Sequence, residues 1–335
     1  MEVALETNPL QDLLDDRGVL VADGAMGTTL FALGLEGGGS PELLNVSDPQ
    51  LVDRVHAGFV EAGADVILTN TFGANGRRLR LHGLQHRVAE LNAAAVAIAR
   101  RVADAAGRQV IVAGSIGPTG DLFEPLGPLS HDEGVAAFSE QAAALAAAGV
   151  DVLWIETISS WEELAAAVEA AVATGIPYVA TLSFDTAGRT MMGIAPSAVG
   201  EWYASLPVKP VAFGANCGIG PGDAVAAAFD ITDAVPGAPV VTKANCGIPL
   251  YETDRLVYPV APDGMAGYVD LAIRSGARII GTCCGSVPEH TAAVRAAVDA
   301  HRHGERPSRA EIEERLEAHV PVAAVGRERR SRRRS

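Results

Sequence analysis

Eight short β-branched runs alternate with eight long alanine-rich segments, and that alternation restricts the fold of this chain more than any other feature. The runs cover residues 19–23, 66–71, 110–116, 152–156, 178–183, 210–216, 240–244 and 279–282. Between and after them, helical patterns cover 49–62, 87–106, 132–148, 161–173, 197–206, 222–235, 265–275 and 288–300. Several end at a glycine, namely Gly63, Gly149 and Gly276, as helix C-termini prefer. Strand–helix alternation of this kind argues for a parallel sheet. Eight units in 335 residues predict a closed (β/α)8 TIM barrel of the α/β class. The competing fold is an open doubly wound sheet, but no G-x-G-x-x-G follows the first run.

Composition excludes several classes. At 48% hydrophobic content the chain can bury a large core. Four cysteines are too few for a disulfide scaffold and fit a reducing compartment. The N-terminus carries Glu2, Glu6, Asp12, Asp15 and Asp16, unlike a secretory or transit signal. No apolar run approaches the roughly 20 residues that span a bilayer, so the expectation is a cytoplasmic chain without membrane partners. The net charge is −15, and the last nine residues hold six arginines against Glu328, leaving about −20 on everything before them. A body that acidic repels nucleic acid at long range. The tail at 327–334 reads as a solvated, disordered end.

In a barrel, chemistry sits at the C-terminal ends of the strands, and the informative residues fall there. Asp23 and Gly24 end the first run, Asn70 and Thr71 the second, and Glu156 and Thr157 the fourth. Cys217 ends the sixth, Asn245 and Cys246 the seventh, and Cys283 and Cys284 the eighth. Three thiolates with one open position describe a zinc site built for chemistry, because structural zinc sites close all four. Thiolates also favour zinc over magnesium or calcium. The spacing is not a C-x-x-C finger, and the alternative is a buried free cysteine beside an inert or disulfide-forming pair.

Ordered motifs carry a resemblance. Asp23-Gly24-Ala25-Met26-Gly27-Thr28, Glu61-Ala62-Gly63-Ala64-Asp65 with Thr69-Asn70-Thr71-Phe72, Gly114-Ser115-Ile116-Gly117-Pro118 and Trp154-Ile155-Glu156-Thr157 come first. Gly188-Arg189-Thr190, Gly214-Ala215-Asn216-Cys217 and Gly281-Thr282-Cys283-Cys284-Gly285 follow. Together they resemble the homocysteine S-methyltransferase family, which includes betaine–homocysteine methyltransferases and the homocysteine-binding module of cobalamin-dependent methionine synthases. The resemblance implies Zn2+ on Cys217, Cys283 and Cys284, with the fourth position taken by homocysteine sulfur. It implies that Asp23 and Glu156 bind the homocysteine ammonium. Backbone N–H groups of Gly24, Ala25 and Met26 are expected to receive the carboxylate. Asn70, Asn216 and Asn245 are expected to orient ligands from behind, and Cys246 either packs as a small hydrophobe or serves as a reserve ligand.

The methyl donor is expected to be a small onium, with betaine ahead of S-methylmethionine and S-adenosylmethionine. The candidate cage aromatics are Phe72, Phe123, Phe184, Trp202, Tyr251 and Tyr258. Thr157 stands where animal betaine enzymes carry an aromatic residue, which departs from their cage. The alternative is a subunit that works with a separate corrinoid carrier protein. The expected organisation is an N-terminal extension (1–14), the barrel (15–304), a C-terminal helix (305–320) and a basic tail (321–335). Ser308 and Glu311 form a capping-box pattern, and Ile312, Leu316 and Val320 give a narrow apolar stripe. They predict a helix over 309–319, packed on the barrel or on a second subunit of a homo-oligomer.

Overall fold

Parallel pairing joins the eight expected runs into one ring. The computed structural model describes residues 8–252 and 255–317. Its barrel strands are β1 (Leu20–Val21), β2 (Val66–Leu68), β3 (Ile111–Ile116), β4 (Val152–Ile158), β5 (Tyr178–Leu182), β6 (Ala212–Cys217), β7 (Val240–Ala244) and β10 (Ala277–Thr282). Their order is β1-β10-β7-β6-β5-β4-β3-β2. A parallel bridge between Ala22 and Val66 closes the ring, and Asp23 N–H donates to Val66 O at 2.9 Å. The fold is the expected (β/α)8 barrel.

Period-two alternation divides each strand between two cores. Leu20, Val66, Leu68, Ile111, Ala113, Val152, Trp154 and Val241 pack together inside the ring. Their neighbours Ile67, Val112, Leu153, Ile155 and Val240 pack outward against helices. The interior is sealed from below by helix Pro9–Arg17, which places Leu10, Leu13 and Leu14 in the inner cluster. Asn8 caps this helix by accepting from Gln11 N–H, Pro9 starts it, and Gly18 at φ 76° ends it. It runs across the boundary expected at 14/15. Each leucine so buried contributes about 2 kcal/mol, so this segment is part of the barrel.

Two further elements flank the ring. An unanticipated antiparallel hairpin, β8 (Leu250–Glu252) with β9 (Arg255–Val257), follows β7. Helix Arg309–Glu317 packs on the barrel exterior through Ile312 and Leu316, each 2% exposed. Arg274 Nη1 reaches its Glu311 Oε1 at 2.8 Å, and Ser308 Oγ accepts from Glu311 N–H at 3.1 Å. Val320 and the basic tail lie outside the described residues, as do residues 1–7. Among the described residues no helix is long and apolar enough to cross a membrane.

Candidate active site

The loops leaving β1, β4, β6, β7 and β10 surround a cavity of about 320 Å3 lined by Asp23, Glu156, Cys217, Lys243, Cys283 and Cys284. The ligand atoms of Cys217, Cys283 and Cys284 all lie within 4.8 Å of one another, with Cys217 Sγ 3.9 Å from Cys284 Sγ. Among the described residues no other group of three or more His, Cys, Asp or Glu side chains converges in this way. Three thiols gathered by two strands, half-buried and facing one cavity, fit a soft thiophilic metal with a position left open.

Backbone geometry aims these thiols. Cys217 takes φ 63° and Gly218 φ 74°, so the chain turns sharply as β6 ends. A non-glycine residue in that region costs about 1–2 kcal/mol. Asn245 offsets it by bridging the two cysteine loops: its Nδ2 donates to Gly218 O at 2.6 Å and its Oδ1 accepts from Cys284 N–H at 2.9 Å. Asn216 clamps Thr157, a second residue of the site at positive φ, 64°. Its Oδ1 accepts from Thr157 N–H at 2.8 Å and its Nδ2 donates to Thr157 Oγ1 at 2.7 Å. Asn70 lies differently, with Nδ2 bound to Pro41 O and Asn45 Oδ1, so it anchors the loop at residue 41.

Cys246 is fully buried and outside the thiol cluster. Burial, then the nearby Cys284, pushes its thiol up to about 12, and it packs with Val260, Met265 and Tyr268 as a small hydrophobe. Its N–H donates to Cys284 O at 3.0 Å.

Two residues that local sequence did not mark complete the site. Lys243, 2% exposed, places Nζ 2.8 Å from Asp23 Oδ1. Asp23 Oδ2 accepts from Leu68 N–H at 2.7 Å, so both Asp23 oxygens have partners. Burial alone would lower the Lys243 ammonium, but Asp23 first, then Glu156 and Cys283, hold it above its ordinary value. Glu156 accepts from Ser115 Oγ at 2.5 Å through Oε1, and burial raises its carboxyl against the pull of Lys243.

Ser286 is the second such residue. Its Oγ donates to Cys283 O at 2.8 Å and accepts from Ala25 N–H at 2.9 Å. Ala25 N–H is thereby taken, in contrast with its expected place on the carboxylate. The next amides open helix Met26–Ala32, which has no side-chain cap, so its first N–H groups lack intrahelical partners. Gly24 must be glycine, since a Cβ there would stand 2.7 Å from Phe59 Cε1 and also overlap Ser286 and Thr282.

The aromatic candidates disperse. Phe72 lines the cavity. Phe123 lines a neighbouring cleft, and Phe184 is buried in the core. Trp202 stacks on Trp161 with ring centroids 6.2 Å apart. Tyr251 stands 73% exposed on the hairpin, and Tyr258 lies against Gly285, where any Cβ would strike its ring. The neighbouring cleft, about 270 Å3, shares Thr157 with the catalytic cavity and is lined by Asp121, Glu124, Glu162, Glu163 and Asp185.

Comparison with known proteins agrees with this geometry. The homocysteine S-methyltransferase family profile matches residues 20–298. Methionine synthase of Mycobacterium tuberculosis is 34% identical over 319 residues, 89% of this chain and 26% of that protein. Methionine synthase of Mycobacterium leprae is 32% identical over 86% of this chain and 25% of its own length. The chain thus spans about a quarter of the curated relatives it matches. Among solved structures, the metallated form of the homocysteine methyltransferase MmuM from Escherichia coli superposes with TM-score 0.73 at 28% identity, covering 86% of this chain and 99% of that one. With the ordered motifs, the barrel and the three-thiol mouth, these matches show that the chain belongs to the homocysteine S-methyltransferase family.

Proposed function

We propose that the chain methylates the sulfur of homocysteine to give methionine, with zinc held by Cys217, Cys283 and Cys284. The observation that carries this reading is the convergence of three thiols, Glu156 and the uncapped helix start at Met26 on one cavity. When bound, zinc supplies a fourth position and keeps an alkyl thiol ionised at neutral pH.

The protein's own groups orient the substrate. Glu156 has Oε1 on Ser115 and offers Oε2 to the homocysteine ammonium. Asp23 sets charge rather than reaching substrate, because Lys243 and Leu68 N–H hold its oxygens. With Asp23 paired to Lys243, Glu156 is the carboxylate left facing the substrate ammonium. The Met26 and Gly27 amides receive the substrate carboxylate at the positive end of their helix.

The donor enters beside Thr157. As the new S–CH3 bond forms, the donor–CH3 bond breaks, its electrons stay with the donor, and the onium centre leaves as a neutral thioether or tertiary amine. Betaine came first on sequence, yet charge favours a sulfonium. In the neighbouring cleft Arg77 pairs with Asp121 at 2.8 Å, while Glu124, Glu162, Glu163 and Asp185 have no ion-pair partner among the described residues. Betaine is net neutral, whereas S-methylmethionine and S-adenosylmethionine are net cations that such a cleft attracts. Two lining phenylalanines, Phe31 and Phe72, are also a sparse cage for a quaternary ammonium.

The test is methionine formation from homocysteine by the zinc-loaded chain with each sulfonium, with betaine and with a methylated corrinoid protein in separate reactions. Turnover with a sulfonium supports the proposal, and turnover with the corrinoid protein alone supports the carrier-dependent alternative. Silence with all four refutes methyl transfer to homocysteine.

A further inference from the structure

A strongly charged cavity lies away from the catalytic mouth, on the opposite face of the barrel. It measures about 580 Å3 and gathers three arginines: Arg17 at the end of the sealing helix, Arg108 before β3, and Arg295 from helix Pro288–Ala300. All three surround one carboxylate, Asp65, which is 1% exposed. Asp65 Oδ2 accepts from Val21 N–H at 2.9 Å and from Arg295 Nη1 at 3.1 Å. Asp65 Oδ1 pairs with Arg17 Nη1, while Arg108 Nη1 stays 3.7 Å away.

One acid therefore faces three guanidinium groups, and Asp299 balances only the outer side of Arg295. His301 and His303 line the rim of the same cavity. Several donors there lack acceptors. Arg108 Nη2 is held by Val60 O and Ala64 O at 2.8 and 2.9 Å, but its Nη1 and the Arg295 Nε have no hydrogen-bond partner. Arg17 uses a single nitrogen on Asp65 among the described residues. Burial lowers the Arg108 guanidinium, and the charges of Arg17 and Arg295 lower it further against Asp65. Crowded guanidinium charge beside the remaining nitrogens of Arg17 describes an anion site, and it is an exception on a chain of net charge −15.

We infer that this cavity binds a phosphate-class dianion, with Arg17 supplying the donors, the half-buried Arg108 and Arg295 the positive field, and His301 and His303 the rim. Guanidinium groups match tetrahedral oxyanions by paired N–H donors. The ligand is either free phosphate or the phosphomonoester end of a larger metabolite.

The test is calorimetric titration of the zinc-loaded full chain with phosphate, with AMP, and with adenosine, each at constant ionic strength set by potassium chloride. Saturable binding of phosphate or AMP is expected, with adenosine inert; tighter binding of AMP than of phosphate identifies the monoester. R17Q should weaken that binding roughly tenfold or more. H303Q, at an exposed position, should weaken it by a smaller factor without touching the Asp65 cluster, which keeps the test decisive if R17Q folds poorly. Saturating homocysteine should leave the affinity unchanged. Absence of saturable binding by both anions, or displacement of the anion by homocysteine, overturns the inference.

Discussion

Replacing Lys243 by methionine tests the electrostatics at the centre of the site. Lys243 and Asp23 are each 3% exposed at the side chain and 2.8 Å apart. Methionine keeps the length and apolar contacts of the lysine stem but removes its charge. Asp23 then remains a buried carboxylate with Leu68 N–H as its one hydrogen-bond donor. Breaking one side of a buried pair costs about 3–5 kcal/mol. At roughly 2–4 °C per kcal/mol for a large domain, Tm should fall by about 6–20 °C at pH 8. The loss should shrink toward pH 5, because protonating Asp23 removes the orphaned charge. D23N combined with K243M should recover much of the stability, since an amide needs no counter-ion. Differential scanning calorimetry of the three variants across pH reads this directly. A K243M protein within about 1 kcal/mol of wild type at pH 8 would refute the ion pair as the feature holding Asp23 charged.

Other predictions follow from single contacts. E156Q should retain the metal yet weaken homocysteine binding by roughly 10- to 100-fold, the worth of a hydrogen bond to a charged group, as read by calorimetric titration. L14A in the sealing helix should cost about 2–5 kcal/mol in denaturant unfolding, since Leu14 is 1% exposed inside the ring. His56 is fully buried with neither ring nitrogen bonded, and burial lowers its imidazole to about 4 despite Asp53. The unfolded chain takes up that proton near pH 6.5 and the native chain only near 4. Stability is therefore lost as pH falls through that window, by up to about 3 kcal/mol. H56L should flatten this acid limb, and an unchanged limb in pH-dependent unfolding would count against it.

Legibility from sequence followed how local each determinant was. The strand runs and their end-of-strand cysteines were readable because period, glycine stops and position within a unit are local signals. Strand ends were less so: β2 stops at Leu68 because the Asp23 carboxylate, 45 residues earlier, takes the Leu68 amide. Lys243 was invisible as a site residue, because a lysine in Val-Val-Thr-Lys-Ala resembles a solvated strand position and its partner lies 220 residues away. Ser286 was missed for the same reason, as its amide partner Ala25 comes from the opposite end of the barrel sequence. The sealing helix read as an extension because Leu10, Leu13 and Leu14 are interleaved with acids, and only closure of the ring creates the hole they fill. The aromatic candidates failed as a set, since composition cannot say which rings share a cavity.

The three-thiolate centre stands or falls on its metal, measured by ICP-MS and zinc X-ray absorption on the wild-type chain and on C217A, C283A and C284A, with circular dichroism as the folding control. One zinc per wild-type chain is expected, with sulfur neighbours at about 2.3 Å. In each alanine variant zinc should be lost to chelator while the barrel spectrum is unchanged, because the hydrophobic core carries the fold. A C283A protein that keeps one zinc per chain and full methyl transfer would contradict the assignment.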